Sequence, residues 1–244
     1  MGNQKVIFVI GTGRSGTHWV GHILQSHPNI HVSIEKPEIF NRVTNMALNN
    51  TTKKELFPQL VELYRKEQKI AYPKHYADKS HPNIWLAEEL AATFPNAKFI
   101  GIYRNPYATV ASMLKHQGVQ MWYKKWSDYP IPNRFLGITN ENVNDFKQMS
   151  LPVKCALRWQ SHKLQLNYLE TTLKERLHII SYEKLIRQHK AEAKKLQTFL
   201  KLIKPFPSIQ IKKESLNRWK SELSKSMCKE IESVLEFGPD NQIK

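Results

Sequence analysis

The stretch Val6–Glu35 constrains this chain more than any other. It opens with Val6-Ile7-Phe8-Val9-Ile10, an unbroken and largely β-branched apolar run. Such a run suits a strand buried on both faces, as in a parallel sheet. A Gly-rich turn follows, Gly11-Thr12-Gly13-Arg14-Ser15-Gly16-Thr17, and then Trp19, Val20, Ile23 and Leu24 recur at helical spacing. Strand, turn and helix N-terminus together make an anion site. Glycines let backbone N–H groups converge, and the unpaired amides of a first helical turn carry partial positive charge. Arg14 adds a forked donor, and Ser15 and Thr17 add hydroxyls. A phosphate or similar oxyanion is expected here.

The rest of the chain repeats the alternation of strand and helix. Strands are expected at Lys5–Ile10, Ile30–Ile34, Tyr76–Lys79, Lys98–Tyr103 and Leu177–Ser181. Helices are expected over Gly16–Ser26, Glu38–Leu48, Lys53–Lys69, Ile84–Phe94, from Pro106, and over Pro152–Glu175, Glu183–Gln188, Ala191–Leu202 and Arg218–Phe237. This order argues for a single α/β domain over residues 1–244, with a central parallel β-sheet flanked by helices. Residues 118–150 show no clean period and read as a long excursion on the substrate side. Lys204–Ser215 is irregular.

Net charge is +16, from 37 basic and 21 acidic residues. That balance fits an anionic substrate, a nucleic acid or an acidic surface. No apolar run approaches the ~20 residues that span a bilayer, and the chain enters its first strand without a basic and apolar leader. Two cysteines, Cys155 and Cys228, suggest neither a disulfide framework nor a metal site. A cytoplasmic protein is expected.

The Gly turn admits three nucleotide readings. GTGRSG matches the dinucleotide fingerprint, and Glu35 ends the next strand where a ribose-binding acid would stand. Nothing later in the chain has an obvious role toward a nicotinamide or flavin. A nucleotide kinase would need a lysine where Thr17 stands, for phosphate and Mg²⁺ handling. The third reading uses the second buried strand. Arg104 ends it, and Ser112 lies eight residues on, two helical turns away on the same face. Two parallel strands that both end in phosphate-binding residues can grip two separated anions, the shape of a nucleotide phosphorylated at its 5′ and 3′ positions.

Here a family resemblance enters. Gly11-Thr12-Gly13-Arg14-Ser15-Gly16-Thr17 resembles the 5′-phosphosulfate loop of the sulfotransferases that use 3′-phosphoadenosine 5′-phosphosulfate. Lys98-Phe99-Ile100-Gly101-Ile102-Tyr103-Arg104-Asn105-Pro106 with Ser112 resembles their 3′-phosphate strand and helix. Ile180-Ser181-Tyr182-Glu183-Lys184-Leu185 resembles their strand-end tyrosine segment. The run from Lys212 to Lys220 is similar to their C-terminal basic loop, with Glu214 and Asn217 where the family often has Gly. The four segments occur in family order over nearly the whole chain. The resemblance implies a P-loop nucleotide-kinase-like fold, the phosphosulfate donor, adenosine 3′,5′-bisphosphate as product and no metal. It implies donor binding by Gly13, Arg14, Ser15, Gly16, Thr17, His18, Arg104, Ser112, Tyr182, Lys212, Lys213 and Ser215.

Sulfuryl transfer is an in-line displacement that needs positioning, a base for the acceptor and a cation beside the leaving phosphate. Glu35 follows Arg14 by 21 residues, the interval at which the tyrosylprotein branch carries its catalytic Glu, and is the candidate base. Burial would raise its pKa and dense positive charge would oppose that. Glu38 and the histidines His18, His31, His75, His81 and His116 are the alternatives. Lys79 matches a family lysine that stabilises the leaving group, with Arg14 as a third catalytic candidate. The expected acceptor is a small molecule with a hydroxyl, and neither nucleic acid nor membrane is an expected partner. A kinase and a basic nucleic-acid-binding protein are the remaining alternatives. Aromatics between Trp122 and Phe146 wall the acceptor pocket, serve a nucleic acid through their interleaving with Lys124 and Lys125, or pin the excursion to the core.

Overall fold

A computed structural model describes residues 4–208 and 213–236. Five strands form one all-parallel sheet: β1 (Val6–Gly11), β2 (Ile30–Ile34), β3 (His75–Lys79), β4 (Lys98–Tyr103) and β5 (Leu177–Ser181), in the order β2-β3-β1-β4-β5. β1 is central, and alternate residues feed two cores. Val6, Phe8 and Ile10 pack under α2 (Pro37–Leu48), α3 (Lys53–Ala71) and α4 (Ala87–Thr93). Ile7 and Val9 face α1 (Thr17–Gln25), and on the same side lie the first two helices after β5. A strand with no solvent face needs the unbroken apolar run that its sequence supplies.

Beyond β4 lie α5 (Pro106–Leu114), α6 (Gln117–Lys124), α7 (Val143–Phe146) and the long α8 (Leu151–Leu173). After β5 come α9 (Tyr182–Arg187), α10 (His189–Leu200), α11 (Trp219–Glu222) and α12 (Lys225–Glu236). A third apolar cluster joins α5, α6, α8 and α12 with the excursion. In it Trp122 meets Phe135 at 5.0 Å, Trp126 meets Phe146 at 5.3 Å, and Tyr123 Oη donates to the Lys154 carbonyl at 2.8 Å. The aromatics of 118–150 therefore serve mainly as anchors.

Four local expectations are corrected. The segment expected as one helix over 84–94 is a 3₁₀ turn at His81–Trp85 followed by α4. The excursion contains α6, hidden from a periodicity reading by Gly118 in its first turn. The helix expected over 218–237 is broken at Leu223, whose backbone is extended, into α11 and α12. The short helix after β5 begins at Tyr182, capped by Ser181 Oγ, one residue before the expected start. No described helix is long and apolar enough to cross a membrane.

Candidate active site

Parallel strands all point their carboxyl ends to one edge, where ligands of such sheets bind. Arg14, Glu35, Lys79, Arg104 and Tyr182 each sit at or just after the end of a different strand. The sheet thereby gathers on one edge residues up to 168 positions apart in sequence.

The Gly turn is tightly determined. Gly16 caps α1 with φ 96° and no side-chain cap, so the first-turn amides stay available to an anion. A Cβ on Gly16 would stand 2.4 Å from the Tyr182 ring. Arg14 and Glu35 both adopt left-handed backbone conformations, at φ 74° and 48°. Each costs ~1–2 kcal/mol for a residue with a Cβ. Such outliers persist where the surroundings over-determine them, and they cluster at functional sites.

Two cavities flank the turn. One, of about 360 Å³, is lined by Arg14, Thr17, Arg104, Ser112, Tyr182 and Arg218, among others. Arg14 Nε donates to Ser112 Oγ at 3.1 Å and ties the turn to α5. Arg104 is buried with its guanidinium 4.4 Å over the Tyr182 ring, and its Nη2 donates to the Ser215 carbonyl at 2.5 Å. Tyr182 Oη and Ser215 Oγ are 2.9 Å apart. Among the described residues, Arg104 Nε has no hydrogen-bond partner. Burial lowers the Arg104 pKa, yet a guanidinium stays protonated. A buried, partly unsatisfied cation of this kind suits a phosphate.

The second cavity, of about 350 Å³, holds Glu35, Lys79 and His81, and shares Arg14, Thr17 and His18 with the first. The β2–β3 register sets Ile34 against Lys79, and the Glu35 N–H donates to the Lys79 carbonyl at 3.0 Å. The side chains then converge. The fully buried Lys79 ammonium donates to Glu35 Oε1 and lies 2.9 Å from His18 Nδ1. With Nδ1 accepting from Lys79, the ring hydrogen of His18 sits on Nε2, 3.4 Å from Glu35 Oε2. His81 Nδ1 is 3.5 Å from Oε1.

The opposing influences on Glu35 can now be weighed. Burial acts to raise its carboxyl, but His18, His81 and Lys79 outweigh burial and hold it well below the usual carboxylate range. Burial lowers Lys79 despite its pairing with Glu35. Both shifts run downward, but they favour the charged form of Glu35 and disfavour that of Lys79, because the ammonium is wholly desolvated while the carboxylate keeps some contact with water. Burial takes His81 down to about 3, so it is a neutral imidazole.

The other expected residues divide. Gly13, Gly16 and Ser215 line one cavity or the other. Ser15 lines neither; it is buried, with Oγ 3.5 Å from Thr109 Oγ1. Lys212 and the side chain of Lys213 lie outside the described residues. Glu38 is exposed and lines neither cavity, and Lys36 pairs with Glu67 at 2.7 Å rather than with Glu35. His31 and His75 lie toward the amino ends of β2 and β3. Residues not singled out as ligands include Trp19 and Arg218 at the first cavity, and Phe40 and Arg158 at the second. Trp19 was legible as part of the α1 apolar stripe, but its position directly after the anion turn carried the sharper signal.

The fold is thus an α/β sheet whose central strand runs into a glycine-rich turn and a helix. The sulfotransferase domain model matches residues 4–236, and the chain belongs to that family. No curated protein matches the chain. Among solved structures, the sulfotransferase domain from the curacin biosynthetic pathway is 19% identical, with 96% of this chain and 98% of that one covered at a TM-score of 0.59. The sulfotransferase domain from the Synechococcus PCC 7002 olefin synthase is 15% identical, with 97% and 96% covered at a TM-score of 0.60. These two likenesses establish a shared fold.

Proposed function

We propose that the chain transfers a sulfuryl group from 3′-phosphoadenosine 5′-phosphosulfate to the hydroxyl of a small-molecule acceptor. The observation that carries this reading is the continuity of the two cavities through Arg14, Thr17 and His18. One cavity ends in a cationic cluster, and the other holds a carboxylate paired to a buried lysine. In this reading the 3′-phosphate lies by Arg104, Ser112 and Arg218, and the 5′-phosphosulfate lies on Arg14, Thr17 and the α1 amides. Trp19 offers its ring to the adenine.

The acceptor oxygen attacks sulfur, the bond from sulfur to the bridging oxygen breaks, and the electron pair leaves on the 5′-phosphate. Glu35 takes the acceptor proton. Lys79 and Arg14 neutralise the leaving phosphate. A negatively charged donor competes with Glu35 for Lys79, which loosens the ion pair and raises the proton affinity of Glu35 where a base is needed.

Thermal unfolding with added adenosine 3′,5′-bisphosphate, ATP with Mg²⁺, and NAD tests the reading. The bisphosphate is expected to raise Tm most. Equal stabilisation by all three, or a preference for ATP with Mg²⁺, would overturn it.

A further inference from the structure

Among the described residues, Arg158 is the one cation of the second cavity whose charge nothing so far uses. It comes from the middle of α8, is completely buried, and lines that cavity. Its Nε donates to the Phe135 carbonyl at 3.1 Å, and among the described residues its Nη1 has only the Met113 sulfur, at 3.9 Å. Its Nη2 has no hydrogen-bond partner among the described residues. The Phe135 and Trp122 rings lie 4.5 and 5.1 Å from the guanidinium carbon.

No carboxylate among the described residues forms an ion pair with Arg158. The titratable groups that oppose its charge are Tyr123 and Cys155, and burial holds both neutral, with Cys155 pushed up to about 12. A desolvated guanidinium with no counter-charge is expensive in an apolar interior. Ring contacts offset part of that cost, but they satisfy none of the idle N–H groups.

The charges along the cavity say what is missing. Its lining contains the cations Arg14, Lys79 and Arg158 and a single carboxylate, Glu35, which Lys79 already holds. Arg14 and Lys79 match the transferred sulfuryl group and the leaving phosphate. Arg158 remains. Phe40, Val119 and Trp122 supply apolar wall in the same cavity.

We infer that Arg158 recognises a negative charge on the acceptor, and that the acceptor is a hydroxy acid: a hydroxyl at Glu35, an apolar body along Phe40, Val119 and Trp122, and a carboxylate at Arg158. This inference rests on the sulfotransferase reading, which supplies the hydroxyl and its place. A purely structural Arg158, holding the Phe135 carbonyl and two rings, would leave the charge of the acceptor without effect.

The test is calorimetric titration of the full chain saturated with adenosine 3′,5′-bisphosphate. The probes are 4-hydroxyphenylacetate, 3-(4-hydroxyphenyl)propionate and 3-hydroxydecanoate, each against its own methyl ester. At least one acid is expected to bind ~10–100-fold tighter than its ester, the range of a charge-assisted hydrogen bond. Arg158→Gln is expected to bind the bisphosphate as the wild type does, which verifies its fold, and to lose the preference for the acid. Arg158→Lys, which keeps the charge but not the fork, is expected to reduce the preference and carries the test if the Gln variant does not fold. Acids no tighter than their esters, or a full preference surviving in both variants, would overturn the inference. Failure of the wild type to bind the bisphosphate would instead overturn the donor reading.

Discussion

Replacing Glu35 by Gln removes one charge and almost no volume. Three groups lean on that carboxylate: the Lys79 ammonium, His18 at 3.4 Å and His81 at 3.5 Å. Removing one partner of a buried ion pair typically costs ~3–5 kcal/mol, because the other charge stays desolvated. Here the Glu35 side chain is 26% exposed, and the amide oxygen of Gln can still accept a hydrogen bond from Lys79. Both features reduce the loss to about 2 kcal/mol. For a chain of this length that corresponds to a Tm drop of about 4–8 °C.

The effect on chemistry is larger. Loss of a positioned base is expected to lower kcat ~10²–10⁴-fold. Donor binding is not expected to weaken, because the substitution removes negative charge from beside a negatively charged ligand. Linkage adds a second readout. The Glu35 carboxyl is held below its ordinary value of 4.5, so its contribution to stability is complete above that pH and is lost as pH falls through the lower folded-state value. The stability gap between wild type and Glu35→Gln is therefore expected to be full at pH 7 and to narrow in strong acid. Initial rates with labelled donor, bisphosphate titration and calorimetric scans across pH measure the three effects. Turnover within a few-fold of wild type, at unchanged donor affinity, would refute Glu35 as the base and pass the role to His18.

Further outcomes follow from the same geometry. Lys79→Met leaves Glu35 without its ammonium, but that carboxylate keeps some contact with water and with His18, so stability is expected to fall by about 1–2 kcal/mol while turnover falls ~10²-fold or more, read by calorimetry and initial rates. Gly16→Ala sets a Cβ 2.4 Å from the Tyr182 ring at φ 96°, so bisphosphate binding and Tm are both expected to drop. Asp78 accepts from Asn83 Nδ2 at 2.9 Å, Ser80 Oγ at 3.2 Å and Tyr64 Oη at 3.3 Å, yet burial pushes its carboxyl up to about 7. Its contribution to folding is thus fullest below its ordinary 3.8 and is lost as pH rises to about 7. Asp78→Asn is expected to flatten stability over that window, measured by denaturant unfolding at several pH values, and an unchanged slope would contradict the role.

The strand framework was legible because central parallel strands leave a plain trace. Lys98–Tyr103 and Leu177–Ser181 are apolar runs between breakers, and they form strands with those bounds. The placement of Arg14, Glu35 and Arg104 on one edge was legible for a related reason: each follows an expected strand, and a parallel sheet sends all those ends to one edge. Pairing was less accessible. Lys79 reads locally as a solvated loop lysine, and only the β2–β3 register turns it inward against Glu35. Arg158 left no usable signal. A basic residue within a long helix is ordinarily read as its solvent face, and its burial depends on an excursion that folds back over α8 through Phe135 and Trp122. Ser15 shows the converse, a polar residue in a motif that the fold spends on packing against Thr109.

The most direct measurement concerns the two-ended grip on the donor. Titration with adenosine 3′,5′-bisphosphate and with adenosine 5′-monophosphate compares ligands that differ only in the 3′-phosphate. The bisphosphate is expected to bind ~10–100-fold tighter, as charged hydrogen bonds from Arg104 and its neighbours require. Arg104→Ala is expected to remove most of that difference while affecting the monophosphate little. Equal binding of the two nucleotides by the wild type, or equal losses of both in Arg104→Ala, would contradict the assignment of this groove to the donor.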